Sequence, residues 1–467
     1  MKRVLLTVHK FFPDHRAGTE VLTLKVAQEL QMRGYQVKIV TANPPDRDAR
    51  YKDGPESSEF VYEGVPVTVV EEPLRLKENG FRSEYYNPNV GKFVGDVIDS
   101  FAPDLVHMFH AQNLSASVIE ECIKRSKPIV VTATDFWFIC PIVQLKRPNG
   151  AICRGPSSYA ANCLTCYTPE LFPPVEEFAV AFDKKYPGAG ALKKGLPTAV
   201  SALADRALYS AYALTKIPAA VSATVERPDF LREALNSVSA ITVATTLMKD
   251  LFVENGVKAG LIHHVPFGLD TAPLIAHQKK SPSKILRIGY IGTLYEHKGV
   301  DLLIRAFLEL PENSQASLTI YGDVNQFPEY GAGLKKLAED GSLNSSKISF
   351  AGTFPNEKLG EVLSGIDVLT VPSRWYENTP LVIQSSLASK TPLIVTDLGG
   401  MSELVKHEVN GLVFELNNHL SLQKQILRLL KEEGLLQKLT DSIQPERTTQ
   451  QMVDQLEAVY ETARRRS

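Results

Sequence analysis

No stretch of 18 residues in this chain is apolar throughout, so a helical membrane span is not expected. The nearest candidate, Ala207 to Val225, is broken by Lys216 and rich in Ser and Thr. Charge of one sign is missing too: 51 Lys and Arg face 53 Asp and Glu, a net charge of −2. That balance gives no electrostatic reason to expect nucleic acid as a partner. There is no Walker P-loop, and no full G-x-G-x-x-G follows the first candidate strand, which argues against an ATPase or a simple dehydrogenase. The apolar start, Val4 to Val8, is too short for a signal peptide and reads as a buried strand. The expectation is a cytoplasmic protein, soluble or peripheral at the inner face of the membrane.

What is present suggests two domains, since 467 residues exceed one typical core. In the first half, short apolar runs alternate with amphipathic segments. Candidate strands are Arg3–Val8, Val37–Thr41, Pro66–Val70, Asp104–Met108, Ile129–Thr132 and Ala240–Ala244. Between the first two, Val21, Leu24, Ala27 and Leu30 recur at near-helical spacing, and Gly34 ends the helix. After a Pro-, Ser- and Lys-rich linker, Thr271–Lys284, a second series begins. Its candidate strands are Leu286–Ile291, Leu318–Tyr321, Lys347–Phe350, Val368–Val371, Leu393–Thr396 and Leu412–Phe414. Continuous apolar strands alternating with helices imply parallel sheets covered on both faces. The expected fold class is α/β, two tandem Rossmann-like doubly wound domains facing a central cleft. Expected boundaries are 1–270, 284–445, and a C-terminal helix within 446–467 crossing back to the first domain. In open α/β sheets, ligands bind at the carboxyl ends of the strands.

Three loops at such ends have the chemistry of an anion site. Gly18-Thr19 follows the first strand, and Thr19 is expected to cap the first helix. Gly292 follows the first strand of the second series, with Lys298-Gly299 opening the next helix and placing a cation near its N-terminus. Gly399-Gly400 follows Thr396-Asp397 and precedes a helix expected near Ser402. Any one of these alone is more often a tight turn; three at corresponding strand ends carry more weight. Glu377-Asn378 follows Val371-Pro372-Ser373, with Thr379 expected as a helix cap and Pro380 as the first helical residue. A carboxylate held ionised there can accept two or more hydrogen bonds, which suits sugar hydroxyls.

In ordered combination these segments resemble the family 4 glycosyltransferases of GT-B fold. The carrying residues are Phe12-Pro13 with Gly18-Thr19-Glu20, Pro103-Asp104-Leu105-Val106-His107, and His297-Lys298-Gly299-Val300-Asp301. With them go Pro372-Ser373 with Glu377-Asn378-Thr379-Pro380-Leu381, Gly399-Gly400-Met401-Ser402-Glu403, Asn410-Gly411, and Pro266-Phe267-Gly268-Leu269-Asp270. The likeness covers nearly the whole chain except about Thr168–Pro228. It implies a nucleotide-diphosphate sugar bound mainly by the second domain, with the first on the acceptor side. Lys298 would neutralise the diphosphate and Glu377 hold donor-sugar hydroxyls. Asn378, Thr379, Pro380, Leu381, Gly399 and Gly400 would lie near sugar or phosphate, and Gly18-Thr19 would approach from the other domain. Transfer would be retaining, to a hydroxyl acceptor that is a glycan or lipid-linked, as in polysaccharide or glycolipid biosynthesis. The departing phosphate would take the acceptor proton, and no divalent metal would be required for catalysis.

Three positions depart from the pattern. Where a second Glu often follows eight residues after the first, this chain has Ser385. Where a basic residue often follows the first glycine of the second domain, it has Thr293. In Thr132-Ala133-Thr134-Asp135, Thr134 stands where the family has a histidine at the reacting sugar. His110 is the candidate substitute, with Asp135 beside it as a further catalytic candidate. Loss of that histidine keeps a second reading open, a degenerate nucleotide-sugar binder without turnover. A GT-B epimerase fits the Glu377 loop less well.

Of five cysteines, Cys140, Cys153, Cys163 and Cys166 fall in one Pro- and Gly-rich stretch, 140–166. Four thiolates including a C-x-x-C pair are enough for a structural zinc site, with an iron–sulfur cluster as the alternative and unpaired buried thiols as the plainer reading. A subgroup of the resembled family has a similar cysteine-bearing insertion. The helical insertion 168–228 carries Lys184-Lys185, Lys193-Lys194 and an alanine-rich segment with Leu203, Leu208, Tyr209, Tyr212 and Leu214. It is expected as a helical pair packed on the first domain, with peripheral membrane contact as the other reading.

Overall fold

The computed structural model describes residues 2–42, 57–70, 80–171, 175–193, 196–339 and 342–466. Two compact units emerge. The first comprises Met1–Thr242, Leu251–His263 and Ala458–Ser467; the second comprises Val243–Asp250 and His264–Glu457.

Among the described residues the first unit is built on eight strands: β1 Arg3–Val8, β2 Gln36–Ala42, β3 Ser57–Tyr62, β4 Val65–Val70, β5 Leu105–Met108, β6 Ile129–Ala133, β7 Ala240–Val243 and β8 Ile262–His264. Their order is β3-β4-β2-β1-β5-β6-β7-β8. β1 pairs in parallel with β2 on one side and β5 on the other, so the winding direction reverses there. The second sheet has β9 Leu286–Ile291, β10 Ala316–Tyr321, β11 Ile348–Gly352, β12 Val368–Val371, β13 Leu393–Thr396 and β14 Gly411–Phe414, in the order β11-β10-β9-β12-β13-β14. Its reversal lies between β9 and β12, which also pair in parallel.

Every strand expected from the apolar runs is present. Central strands such as β5, β12 and β13 are buried at every position, which is why they read as unbroken apolar runs. Apolar residues of β9, β10 and β14 pack against the helices Val300–Leu308 and His419–Lys431 to form one core of the second unit. The start signals were uneven. Asn87 and Asn418 do cap their helices, accepting from Val90 N at 3.3 Å and Ser421 N at 3.0 Å. Thr19 does not: the first helix runs Gly18–Met32 with Ala17 at the cap position and no side-chain cap. Nor is 271–284 a free linker. It contains the short helix Ala272–Ile275, and Gln278 and Lys280 donate to the carbonyls of Ala388 and Leu363, both at 2.8 Å.

The insertion forms the helices Ala161–Leu171, Val175–Lys185, Pro187–Lys193 and Thr198–Asn236; Lys194 lies outside the described residues. The long last helix is fixed to the first unit through its C-terminal half. There Arg227 is buried, donates to Trp137 O at 2.7 Å and lies 5.0 Å from the Trp137 ring. Its N-terminal half packs on the helix Val175–Lys185, where the Phe178 ring lies 5.3 Å from Tyr209 and 5.0 Å from Tyr212.

Candidate functional site

In the second unit the chain leaves β12 at Val371 and turns back against the loop that follows β9. Arg374 N donates to His297 O at 2.7 Å. Its guanidinium grips Asp301 with two bonds, 2.9 and 2.7 Å, and Tyr330 donates to the same carboxylate at 2.9 Å. The approach is close enough to require Gly299: its φ is +69°, and a β-carbon there would sit 2.0 Å from Pro372 O.

This clamp delivers Lys298 to Glu377. Lys298 Nζ donates to Glu377 Oε1 at 2.7 Å, while Ser373 Oγ and Trp375 Nε1 donate to the same oxygen at 2.8 Å each. No hydrogen bond among the described residues engages Oε2. Lys298 Nζ also lies 5.0 Å from the Trp375 ring centre. Glu377 is only 8% exposed. Burial alone would push its pKa up, but the Lys298 charge and the three hydrogen bonds outweigh it and hold the carboxyl below its ordinary range. The group is therefore an anion at neutral pH with one oxygen fixed.

The Gly399-Gly400 loop lies directly against this segment. A β-carbon on Gly400 would fall 2.0 Å from Asn378 O and 2.5 Å from Glu377 O. Gly399, at φ +56°, would bring one to 2.5 Å from Leu247 and 2.8 Å from Tyr376. The following helix starts at Gly400 rather than near Ser402. Asn378 Oδ1 accepts from Thr245 Oγ1 at 3.0 Å. Thr379 departs from expectation: Pro380 occupies the cap position of the helix Leu381–Ala388, and Thr379 Oγ1 is buried without a hydrogen-bond partner among the described residues. Pro380 and Leu381 are half-buried, and Ser385 is buried on that helix. Glu403 has a role the sequence did not suggest. It accepts from Thr246 N and Leu247 N, at 2.8 and 2.7 Å, and so caps the helix Thr246–Glu254.

In the first unit the carboxyl ends of β1, β5 and β6 gather another polar set. His110 Nε2 lies 2.6 Å from Asp135 Oδ2, and Gln112 N donates to His110 Nδ1 at 3.0 Å. Nδ1 therefore accepts, which places the ring proton on Nε2 toward the carboxylate. Asp135 is itself fixed by Trp137 N, 2.8 Å from Oδ1. Thr134 turns its hydroxyl to Phe109 O at 3.2 Å, a main-chain tie. Sequence reasoning gave no role to His9 and Glu20. The His9 ring lies 4.2 Å from that of His110, and its Nε2 is 3.6 Å from Glu20 Oε1. Burial, then the neighbouring His110, Lys10 and His15, depress the His9 pKa strongly, so this ring is neutral. Burial raises the Glu20 pKa against several smaller opposing effects. The position of His9, one residue past a strand at the winding reversal, was the available signal. Gly18 and Thr19 open the helix that carries Glu20.

Of the four clustered cysteines, Cys140 and Cys163 are buried and Cys153 and Cys166 half-buried. Cys153 Sγ donates to Gly155 O at 3.3 Å. Burial pushes Cys140 up to about 11; burial, then the neighbouring cysteines, push Cys163 up to about 12. Among the described residues no group of three or more His, Cys, Asp or Glu side chains is placed to hold a metal ion.

Two doubly wound sheets, the second with a buried anionic carboxylate against a glycine loop, give the chain the GT-B fold. Comparison with known proteins agrees. The family described as Glycosyl transferases group 1 matches residues 273–444, and Glycosyltransferase Family 4 matches residues 16–155. The first half is thus similar to Glycosyltransferase Family 4 and the second to Glycosyl transferases group 1, on a GT-B fold. An uncharacterised glycosyltransferase of Methanocaldococcus jannaschii is 31% identical over 31% of this chain and 36% of its own length. A putative glycosyltransferase of Bacillus subtilis, YtcC, is 32% identical over 32% of this chain and 38% of its own. The chain thus spans under two fifths of the length of these relatives. Among solved structures, Anabaena HepE in complex with UDP and glucose superposes with a TM-score of 0.62 at 14% identity, over 99% of this chain and 100% of that one.

Proposed function

We propose that this protein transfers a sugar from a nucleotide-diphosphate donor to a hydroxyl acceptor, with retention at the anomeric carbon. The observation that carries the reading is Glu377, an anion whose Oε1 holds three donors while Oε2 accepts none among the described residues. Such an oxygen suits a pair of sugar hydroxyls. Lys298 keeps the carboxylate ionised and has further N–H groups for a diphosphate oxygen. The buried, unpartnered Thr379 hydroxyl and the Gly399-Gly400 backbone beside Asn378 supply neutral polar contacts.

In this reading the second unit binds the donor and the first serves the acceptor. The cation at Lys298 stabilises the leaving diphosphate, and no protein nucleophile or divalent metal is needed. The complex of HepE with UDP and glucose supports a uridine nucleotide as the first donor to test. A thermal-shift panel of nucleotide sugars, followed by donor hydrolysis and transfer assays, tests the proposal. A ligand at ~100 times its Kd should add ~2.7 kcal/mol. Stabilisation by no nucleotide sugar overturns it. Stabilisation without turnover would favour the second reading, a binder that lost its catalytic histidine at Thr134. Glu377→Gln should lower transfer more than nucleotide affinity; an equal fall would place Glu377 on the nucleotide instead. No helix among the described residues is long and apolar enough to cross a membrane.

A further inference from the structure

The N-terminal half of the helix Thr198–Asn236 has two apolar faces, and only one is covered. Leu208, Tyr209 and Tyr212 are half-buried on the side where Phe178 packs. The opposite side carries Val200, Leu203, Ala207, Ser210, Leu214, Ile217 and Val221, all exposed. Leu203 is 70% exposed and Leu214 73%, values foreign to leucines of a finished surface. The intervals along this stripe alternate three and four without a break, which is the heptad spacing of a helix-pairing seam. Only Val221 lies beyond Pro218, so Val200 to Ile217 form an uninterrupted seam about 27 Å long at 1.5 Å per residue.

We infer that this seam is the interface of a homodimer, in which the helix pairs antiparallel with the same helix of a second copy. Three observations select that occupant. The seam's large residues stand at its ends and its small ones at its centre. A two-fold axis midway between Ala207 and Ser210 therefore sets Val200 against Ile217, Leu203 against Leu214 and Ala207 against Ser210. Each copy supplies what the other needs, as an isologous interface requires.

The residues bordering the seam, Ala199, Ala204, Ala211 and Ala213, are small, so two backbones can approach closely. A lipid-surface helix instead borders its apolar face with Lys and Arg and carries bulky residues at its centre. Here Arg206 is the cation beside the seam, Lys216 lies toward the opposite side of the helix, and Lys193 is bonded to Asp183 at 2.7 Å and Asp205 at 2.5 Å. Antiparallel pairing also puts the two first units at opposite ends of the helix pair. Each is attached through the buried C-terminal segment around Ala220, Ala223, Arg227 and Leu231. A parallel pair would crowd both bodies at one end.

Sedimentation velocity of the full chain should show a dimer at micromolar concentration. The double variant Leu203→Glu, Leu214→Glu should sediment as a monomer while keeping its circular dichroism and thermal midpoint, since both side chains already face solvent. Cysteine pairing tests the register. Under mild oxidation, a mixture of Val200→Cys and Ile217→Cys proteins should form a mixed disulfide dimer absent from the wild type. Val200→Cys alone should form little. Crosslinking of Val200→Cys with itself would overturn the antiparallel arrangement. A wild-type monomer at tens of micromolar that floats with anionic phosphatidylserine vesicles, and loses flotation in the double variant, would overturn the dimer and assign the seam to lipid.

Discussion

Replacing Lys298 by Met leaves Glu377 charged in a setting built for a neutral pair. At 2.7 Å and an effective dielectric near 20, the gross attraction is about 6 kcal/mol, most of it offset by desolvation of the two groups. Breaking a buried pair from one side typically costs about 3–5 kcal/mol. A smaller loss is expected here, about 2–3 kcal/mol, because the Lys298 side chain retains 24% exposure and Ser373 and Trp375 still donate to Oε1. Glu377→Gln removes the charge and should cost about 1–2 kcal/mol, since Lys298 can turn to water. The double variant should then be destabilised by less than the sum of the singles, giving a coupling of about 1–2 kcal/mol. Each unit holds one of the two tryptophans. Urea unfolding followed by Trp375 fluorescence in a Trp137→Phe background thus reports on the second unit. Acid adds a check. The Glu377 carboxyl is depressed when folded, so its contribution is present above pH ~4.5 and is lost as pH falls through the folded value. In Lys298→Met that loss should begin at higher pH. Additive single effects, within about 0.5 kcal/mol, together with an unchanged acid limb would refute the account of this pair.

Gly400→Ala must displace the backbone at Asn378 O, 2.0 Å from the new carbon, so a loss of about 1–3 kcal/mol and of donor-sugar stabilisation is expected in thermal shifts. Tyr460→Phe removes the hydroxyl 2.6 Å from Nδ1 of the buried His107 and should lower stability by about 1–3 kcal/mol in urea unfolding; a neutral effect would show the bond to be dispensable. Burial raises Glu446 to about 7, so the folded state holds its proton more tightly than the unfolded chain. Its contribution is present below pH ~4.5 and lost as pH rises through 7, so Glu446→Gln should be more stable than the parent at pH 8, by up to about 3 kcal/mol, and equal to it near pH 4. With Cys140 raised to about 11 and Cys163 to about 12, both thiols should resist iodoacetamide at pH 7.5 in the folded protein and react on unfolding. Stoichiometric zinc in protein purified without chelators would instead assign the clustered thiols to the metal.

The parallel strands were legible because burial on both faces leaves them unbroken apolar runs. β3, Ser57–Tyr62, was missed for the converse reason: it is an antiparallel edge strand with three exposed residues at its start. β8 is only three residues, Ile262–His264, too few for a period to show. The Glu377 loop could be picked out as a carboxylate before a helix, and its neighbour Gly400 as a close approach. Their contacts could not be read, because Lys298 lies 79 residues from Glu377 and nothing local couples them. The caps assigned to Thr19 and Thr379 failed because tertiary position overrode local preference. Ala17 and Pro380 took the cap positions, and the Thr379 hydroxyl was left without a hydrogen-bond partner among the described residues.

The crowding of three donors onto one oxygen of Glu377 has a thermodynamic consequence. A free glutamate must surrender several rotamers when it grasps a ligand, a cost of about 0.5–1.5 kcal/mol for an interfacial side chain. Here that freedom is already gone before any ligand arrives, so a hydroxyl meeting Oε2 finds its acceptor standing still. Aspartate at the same position would keep the charge but, one methylene shorter, could not reach the three donors together. The affinity of this site for its sugar would then reflect how little the protein has left to arrange.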